Sequence, residues 1–392
     1  MPEVSEKNKE ALEHIQGVLD SDSFVEIGEK IAAGVITGYG SIDGCLVYIF
    51  AQDRNERGGS FGEAQAAKLI RLYTMAIRSK APVIGFLDCA GIRIEEGAGA
   101  LAAFADVYKI QAEASGKILQ IMTVCGECIG CMETMAALSD IVIRNNADTA
   151  EEIRSLINML PASVSGSMPL IESEDDLNRA CSWISAKKER GSELLKELSD
   201  DGKFIEINKG SAREISTGFI ALAGRAVGGI AADAGMIVSR EASIKTAGFI
   251  NMCSKFQIPL LNVIGGCGFD EPASANMIIK ALSNSDVMIV NLIAGEAGGS
   301  YYSVFNSKGC GTDYTLMWDD ASVQIINPLH AADILYPNLS LKELKEKAAE
   351  YKENQCSAET MARCGYADKI IRPEESRKYL IGAFETLANV RR

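Results

Sequence analysis

The chain repeats itself, and this limits its fold more than any other feature. Residues 37–53 read TGYGSIDGCLVYIFAQD, and residues 217–233 read TGFIALAGRAVGGIAAD. At this offset of 180 residues, Thr37/Thr217, Gly38/Gly218, Gly44/Gly224, Ala51/Ala231 and Asp53/Asp233 coincide. Each segment reads as two strands joined by a tight turn, at Asp43-Gly44 and Ala223-Gly224. Asp-Gly is a strong hairpin signal. In the first half, Ser60-Phe61-Gly62-Glu63 then has capping-box spacing. Leu69, Leu72, Tyr73 and Ala76 follow at helical period, and Pro82–Leu87 reads as a buried strand. In the second half, a helix over about 241–256 precedes a strand at Pro259–Ile264.

A third correspondence bears on chemistry. Gly126-Glu127-x-x-Gly130 matches Gly295-Glu296-x-x-Gly299. Each copy follows an apolar strand (118–124 and 287–293) and precedes a helix. A strand, a glycine-rich turn and a helix start leave backbone N–H groups unpaired and pointing one way. Such donors form an oxyanion hole, which stabilises negative charge developing on a carbonyl oxygen. Glycine also lets backbone approach a ligand closely. The other reading is that these glycines serve tight turns and close packing alone, and the repeat leaves both open.

Between the halves, Pro161–Ser167 and acidic Glu172–Asp176 have linker composition. Residues 174–200 read as polar and helical. The sequence thus divides into an α/β domain over 1–160, a linker and helical connection over 161–205, and a second α/β domain over 206–392.

Charge and rare residues narrow the function. Lys plus Arg number 39 against 53 Asp plus Glu, a net charge of −14. Nucleic-acid binding needs a basic face, so it is not expected. An anionic ligand would be held by local backbone N–H groups. Histidine occurs twice, at His14 and His330. A Ser-His-Asp triad or a His-rich metal site is therefore hard to build. The 11 cysteines, odd in number and not spaced like a stapled domain, read as reduced thiols. Cys125-x-x-Cys128-x-x-Cys131 has the first spacings of an iron–sulfur run, but Met135 stands where the fourth ligand would fall. The repeat sets Ala297 and Ser300 opposite Cys128 and Cys131, so small fillers are expected there and no metal. No apolar run approaches the roughly 18 residues of a membrane span. The N-terminal stretch lacks the apolar core of a signal peptide, so a cytoplasmic protein is expected. Trp318 and His330 read as packing or helix-start residues. Arg93 with Glu95 and Glu96 forms either a functional loop or a surface ion-pair set.

These residues bring a family into view. GVITGYGSIDGCLVYIFAQD, GGSFGEAQAAK (58–68), DCAGIRIEEG (88–97), GECIGC (126–131), TGFIALAGR (217–225), AGGSYYSVFNSKGCGTDYTLMW (297–318) and NPLHAADILY (327–336) resemble the carboxyltransferase subunits of biotin-dependent acyl-CoA carboxylases and decarboxylases. The likeness runs in the family's order from about residue 24 to residue 340. It implies two tandem crotonase-like domains built from β-β-α spiral units. It also implies a site between the N-half of one protomer and the C-half of another, hence a dimer or higher homo-oligomer. There a carboxyl group would pass between biotin and an acyl-CoA substrate. One hole would hold the thioester enolate and the other the biotin ureido oxygen. By position, the catalytic donors are the N–H groups around Gly130 and Cys131 and around Gly299 and Ser300. The substrate-binding positions are Gly58, Gly59, Ser60, Ala90, Gly91, Ile92, Arg93, Gly266, Gly268, Phe269 and Gly298.

The chain also departs from this pattern. Cys131 stands where the family usually has Gly, and Cys89–Ile92 replaces a Ser-Gly-Gly-Ala loop. Gly266–Phe269 replaces a Pro-Gly-Phe turn. A segment that the family carries after the strand at 140–144 is missing, because Asn145–Asp148 runs directly into a helix at Thr149. No Met-Lys-Met biotinylation motif is present. The resemblance therefore implies biotin carried in trans by a carrier protein, with a biotin carboxylase or a membrane decarboxylase subunit as a further partner. Direction and acyl group stay open. Two other readings remain: a scaffold subunit that kept the fold and lost the reaction, and a Cys-based metal-binding protein.

Overall fold

Two-residue turns set the register of both sheets. Asp43 and Gly44 have φ of 47° and 80°, and Ala223 and Gly224 have 52° and 74°. Positive φ at both central residues is the hairpin geometry that matches strand twist. The computed structural model describes residues 9–181 and 191–387, and the chain divides into two units after Pro169.

In the first unit, β1 (Val25–Glu26), β2 (Val35–Ile42), β3 (Cys45–Gln52), β4 (Val83–Cys89), β5 (Gln120–Cys128) and β6 (Ile141–Arg144) form a six-stranded sheet in sequence order. β1 to β3 pair antiparallel, and β3 to β6 pair parallel. Parallel neighbours need crossovers. The helices Glu63–Ser79, Ala98–Ala114 and Cys131–Ala137 supply them. The first buries Leu69, Leu72, Tyr73 and Ala76, the stripe its period predicts, against Phe50, Phe104 and Met122.

The second unit contains β7 (Phe204–Ile207), β8 (Ile215–Leu222), β9 (Arg225–Ala232), β10 (Ile237–Val238), β11 (Leu260–Ile264), β12 (Gly268–Phe269), β13 (Ile289–Ile293), β14 (Glu296–Gly298), β15 (Tyr314–Trp318), β16 (Ser322–Gln324) and β17 (Lys369–Ile371). Its seven-stranded sheet runs β17-β15-β13-β11-β9-β8-β7. Here too the first hairpin is antiparallel and the later strands parallel. Two short parallel pairs, β10 with β12 and β14 with β16, stand beside it.

The repeat extends to buried polar groups. Lys68 Nζ donates to Ala32 O at 3.2 Å and Val35 O at 2.6 Å. Lys245 Nζ donates to Ser211 O at 3.1 Å and Ile215 O at 2.9 Å. Each lysine reaches from the crossover helix to the start of the first hairpin strand. Burial pushes both ammonium groups below their ordinary pKa. The carbonyl acceptors satisfy donors that would be costly if left bare.

Two local expectations change. The first crossover helix is capped at Gly62 rather than Ser60. Gly62 N–H donates to Gln65 Oε1 at 3.1 Å, and Glu63 N–H to Glu96 Oε2 at 2.6 Å. Residues 174–181 are not helical. The Ser173 hydroxyl accepts from Asp175 N–H and the Asp176 carboxylate from Asn178 N–H, which closes turns in place of helical bonds. The helix in this stretch is Gly191–Leu198, and residues 182–190 lie outside the described residues. Trp318 is buried at the end of β15 and donates to Ser376 Oγ at 2.8 Å. His330 lies in the first turn of the helix Pro328–Leu335.

Candidate active site

In the first unit the candidate residues gather at the carboxyl ends of β4 and β5. Parallel α/β sheets place ligands there. β4 and β5 are neighbours, with Cys89 opposite Cys128. The loops that follow them, Ala90–Arg93 and Ile129–Cys131, therefore open at the same end of the sheet. The Gly58–Ser60 segment is zipped onto the first of these loops. Ala90 N–H donates to Gly58 O at 3.0 Å, Phe61 N–H to Gly91 O at 3.0 Å, and Arg93 N–H to Phe61 O at 2.9 Å. Ile92 bridges to Phe61 in parallel register. Arg93 Nε donates to Ser60 O at 3.2 Å. Gly59 is obligatory: φ is 69°, and a Cβ would lie 2.1 Å from Asp88 O.

Arg93, Glu95 and Glu96 combine the two roles left open above. Arg93 braces the Ser60 backbone and Glu96 caps the crossover helix, while Glu95 pairs with Arg57 near the surface. Gly130, at φ 60° and ψ −114°, precedes the helix Cys131–Ala137. Among the described residues no hydrogen bond takes up the Gly130 N–H, and Cys131, as the first residue of its helix, has no partner for its N–H within that helix. The Cys131 carbonyl accepts from Tyr108 Oη at 2.6 Å, which ties the turn to the helix Ala98–Ala114.

The second unit gathers its candidates in the same way. Gly298 N–H donates to Gly266 O at 3.3 Å. Gly299 has φ of 54°, and a Cβ there would lie 2.6 Å from Cys267 O. Gly268 and Phe269 form β12, and a Cβ on Gly268 would sit 3.5 Å from Ser300 Oγ. The Phe269 ring stacks on Tyr301 at 6.0 Å. Gly299 and Ser300 open the helix Gly299–Phe305, so their N–H groups have no partner within it, and the parallel pairing of Gly298 with Gln324 runs up to Gly299. Both units thus present a helix start at a glycine of positive φ, with adjacent N–H groups that the helix itself does not use.

The three clustered cysteines diverge. Cys125 lines a small cavity with His14, Arg54 and Phe86. Cys128 and Cys131 pack against the core under the crossover helices. Burial pushes the Cys125 thiol up to about 12 and Cys128 to about 11. No cluster of three or more His, Cys, Asp or Glu among the described residues could hold a metal ion. No described helix is long and apolar enough to cross a membrane.

Comparison with known proteins bears directly on this arrangement. The family model for the carboxyl transferase domain matches residues 2–150 and 133–392. The chain belongs to the carboxyl transferase family. Among the relatives of this carboxyltransferase is a putative propionyl-CoA carboxylase beta chain of Bacillus subtilis (strain 168), 32% identical, with 97% of this chain and 90% of that protein covered. A methylmalonyl-CoA decarboxylase subunit alpha of Veillonella parvula is 27% identical over the same shares. The fold matches the crystal structure of transcarboxylase 12S, a hexamer seen with methylmalonyl-coenzyme A and methylmalonic acid bound. That likeness has a TM-score of 0.87 at 24% identity and covers 97% of this chain and 90% of that one. The two units are therefore crotonase-like. The alignment with the Bacillus protein has 463 positions against 392 residues here, so at least 71 of its positions have no counterpart in this carboxyltransferase.

The sequence alone does not single out Gln52 and Asp88, and it offers Glu96 only as part of a functional loop or an ion-pair set; all three hold these loops from behind. The available signal was the glycine at 126 and at 62, because each leaves room for a carboxylate.

Proposed function

We propose that this carboxyltransferase moves a carboxyl group between biotin, carried by a separate protein, and an acyl-CoA. The supporting observation is the duplicated glycine-led helix start at Gly130-Cys131 and Gly299-Ser300, whose N–H groups have no partner within their own helices. Carboxyl transfer at a thioester passes through an enolate, whose oxygen carries new negative charge. Two preorganised backbone donors stabilise such charge, each worth about 3 kcal/mol of barrier. We assign Gly130 and Cys131 to the thioester oxygen, and Gly299 and Ser300 to the ureido oxygen of biotin.

Biotin fits the second turn chemically, because a ureido oxygen accepts two N–H bonds and Gly268 and Gly298 add no side chain beside it. When bound, biotin supplies the carboxyl group and a ureido base for the α-proton, so the chain needs no imidazole of its own. Gly58–Ser60 and Ala90–Arg93 shape the wall on the CoA side, and Gly266 and Phe269 shape the wall around the second turn. The relatives named for propionyl-CoA and methylmalonyl-CoA point to a short acyl chain. The working form is at least a homodimer located in the cytoplasm.

The test is exchange of labelled carboxyl between a malonyl-type CoA ester and biotin or a biotinylated carrier. Exchange supports the reading. Failure with each of acetyl-, propionyl-, glutaconyl- and methylmalonyl-CoA would leave the scaffold reading, which calorimetric titration with CoA would then examine.

A further inference from the structure

The two matched turns are held in different ways. In the second unit, β14 lies against β16, and Ser322 N–H donates to Gly295 O at 3.1 Å. In the first unit, the chain passes from β6 through Asn145–Asp148 straight into the helix Thr149–Met159. Among the described residues no strand after β6 pairs with the turn. Asp88 stands in its place. Asp88 Oδ1 accepts from Glu127 N–H at 3.1 Å and from Arg54 Nη1 at 3.1 Å. Arg54 Nη2 also lies 3.6 Å from the Glu127 carboxylate. From behind, Asp88 N–H donates to Gln52 Oε1 at 2.9 Å, and Gln52 Nε2 contacts Met132 Sδ at 3.8 Å. Gln52 is buried.

The two side chains therefore grip both ends of the segment Glu127–Met132, which carries the Gly130 and Cys131 N–H groups. Glycine at 126 is a consequence: a Cβ there would lie 2.4 Å from the Asp88 carboxylate. At the matching Gly295 a Cβ would meet nothing within 4 Å. Aligning Pro82 with Pro259 sets Gly265 opposite Asp88, so the second unit has no carboxylate to offer.

We propose that Asp88, braced by Gln52 and Arg54, is a positioning residue that fixes the direction of the Gly130 and Cys131 N–H groups. This rests on the proposed role of those donors in transfer. A reacting atom misplaced by about 1 Å loses about 10²-fold in rate. Asp88→Ala is expected to lower kcat for carboxyl exchange by about that factor, with KM for the acyl-CoA within about threefold. Asp88→Asn, whose amide oxygen can still accept from Glu127 N–H, should restore most of kcat.

Amide hydrogen exchange reads the same contact without activity. In Asp88→Ala the Glu127, Met132 and Thr134 amides should exchange faster, while Ile121 and Thr123 within β5 stay as in the wild type. Should Asp88→Ala fail to fold, Gln52→Leu is expected to speed the same amides. Unchanged exchange at Glu127, full kcat in Asp88→Ala, or an Asn variant no better than Ala would overturn the proposal. A wild-type protein without transfer would defeat the functional reading, and exchange at Glu127 would still decide the positioning role.

Discussion

Arg377 Nη1 donates to Asp200 Oδ1 at 2.6 Å, and both side chains are buried. Arg377 Nη1 also donates to Leu198 O at 3.2 Å. The Asp200 carboxylate accepts from the turn N–H groups of Ala223 at 3.2 Å and Gly224 at 2.7 Å. One repeat earlier, Asp20 accepts from Asp43 N–H at 3.0 Å and Gly44 N–H at 3.1 Å. Arg154 bonds Asp20 at 3.0 Å and Val18 O at 2.8 Å. The same lock thus closes both hairpins, dry in the second unit and wet in the first.

Removing one partner of a buried pair strands the other charge, at about 3–5 kcal/mol. Arg377→Ala should destabilise the protein by that amount. Arg154 and Asp20 keep 29% and 28% exposure, so Arg154→Ala should cost about 1 kcal/mol or less. Urea denaturation of the two variants checks the contrast, and equal losses would refute it.

The wet lock predicts a pH dependence. Backbone donation from Gly44 N–H, then the Ser41 hydroxyl and Asp43 N–H, holds the Asp20 carboxyl well below the usual carboxylate range. Between the folded and unfolded pKa values the unfolded chain binds more protons, so stability rises with pH in that window. The contribution is complete above about pH 4, the unfolded value, and is lost as the solution is acidified further. The stability gap between wild type and Asp20→Asn should therefore be flat near neutrality and shrink below about pH 4. A gap that persists to pH 2 would contradict this.

Much of this lock was within reach of the sequence. The offset of 180 that pairs Asp43-Gly44 with Ala223-Gly224 also pairs Asp20 with Asp200 and Val18 with Leu198. Over residues 16–24 and 196–204, however, only Phe24 and Phe204 are also identical at this offset, so the aspartates do not stand out in the text. Lys68 and Lys245 are hidden in the same way, each in a helix whose other letters have diverged. The glycine turns were legible because positive φ restricts the residue type. The Gly62 cap was not, because Ser60 offered a better pattern and the Glu96 carboxylate that competes with it arrives from another loop. The β14–β16 pairing spans a separation in sequence that local patterns do not encode.

The cysteine cluster yields a chemical prediction. The thiolate is the reactive form, and burial pushes Cys125 and Cys128 up to about 12 and about 11. Cys45, Cys267 and Cys364 are exposed. Iodoacetamide at pH 8 should label these three at least about tenfold faster than Cys125 and Cys128. Peptide mass spectrometry of a time course measures it. Fast labelling of Cys125 or Cys128 would show that those thiols are reactive and reopen the metal-binding reading.

The identity of residue 131 separates a backbone donor from a side-chain nucleophile. Cys131 is the first residue of its helix, so its N–H has no partner within that helix. If that N–H holds developing charge, Cys131→Ala removes the thiol and keeps the donor, so kcat for carboxyl exchange should stay within about threefold. Cys131→Pro removes the donor itself. Proline is well tolerated at the first helical position, where the missing N–H costs the helix nothing. Fold and thermal stability should therefore survive, while kcat falls by about 10²–10³. Steady-state exchange kinetics on the two variants decide the matter: a dead alanine variant would give the work to the thiol, and an active proline variant would remove Cys131 from the hole.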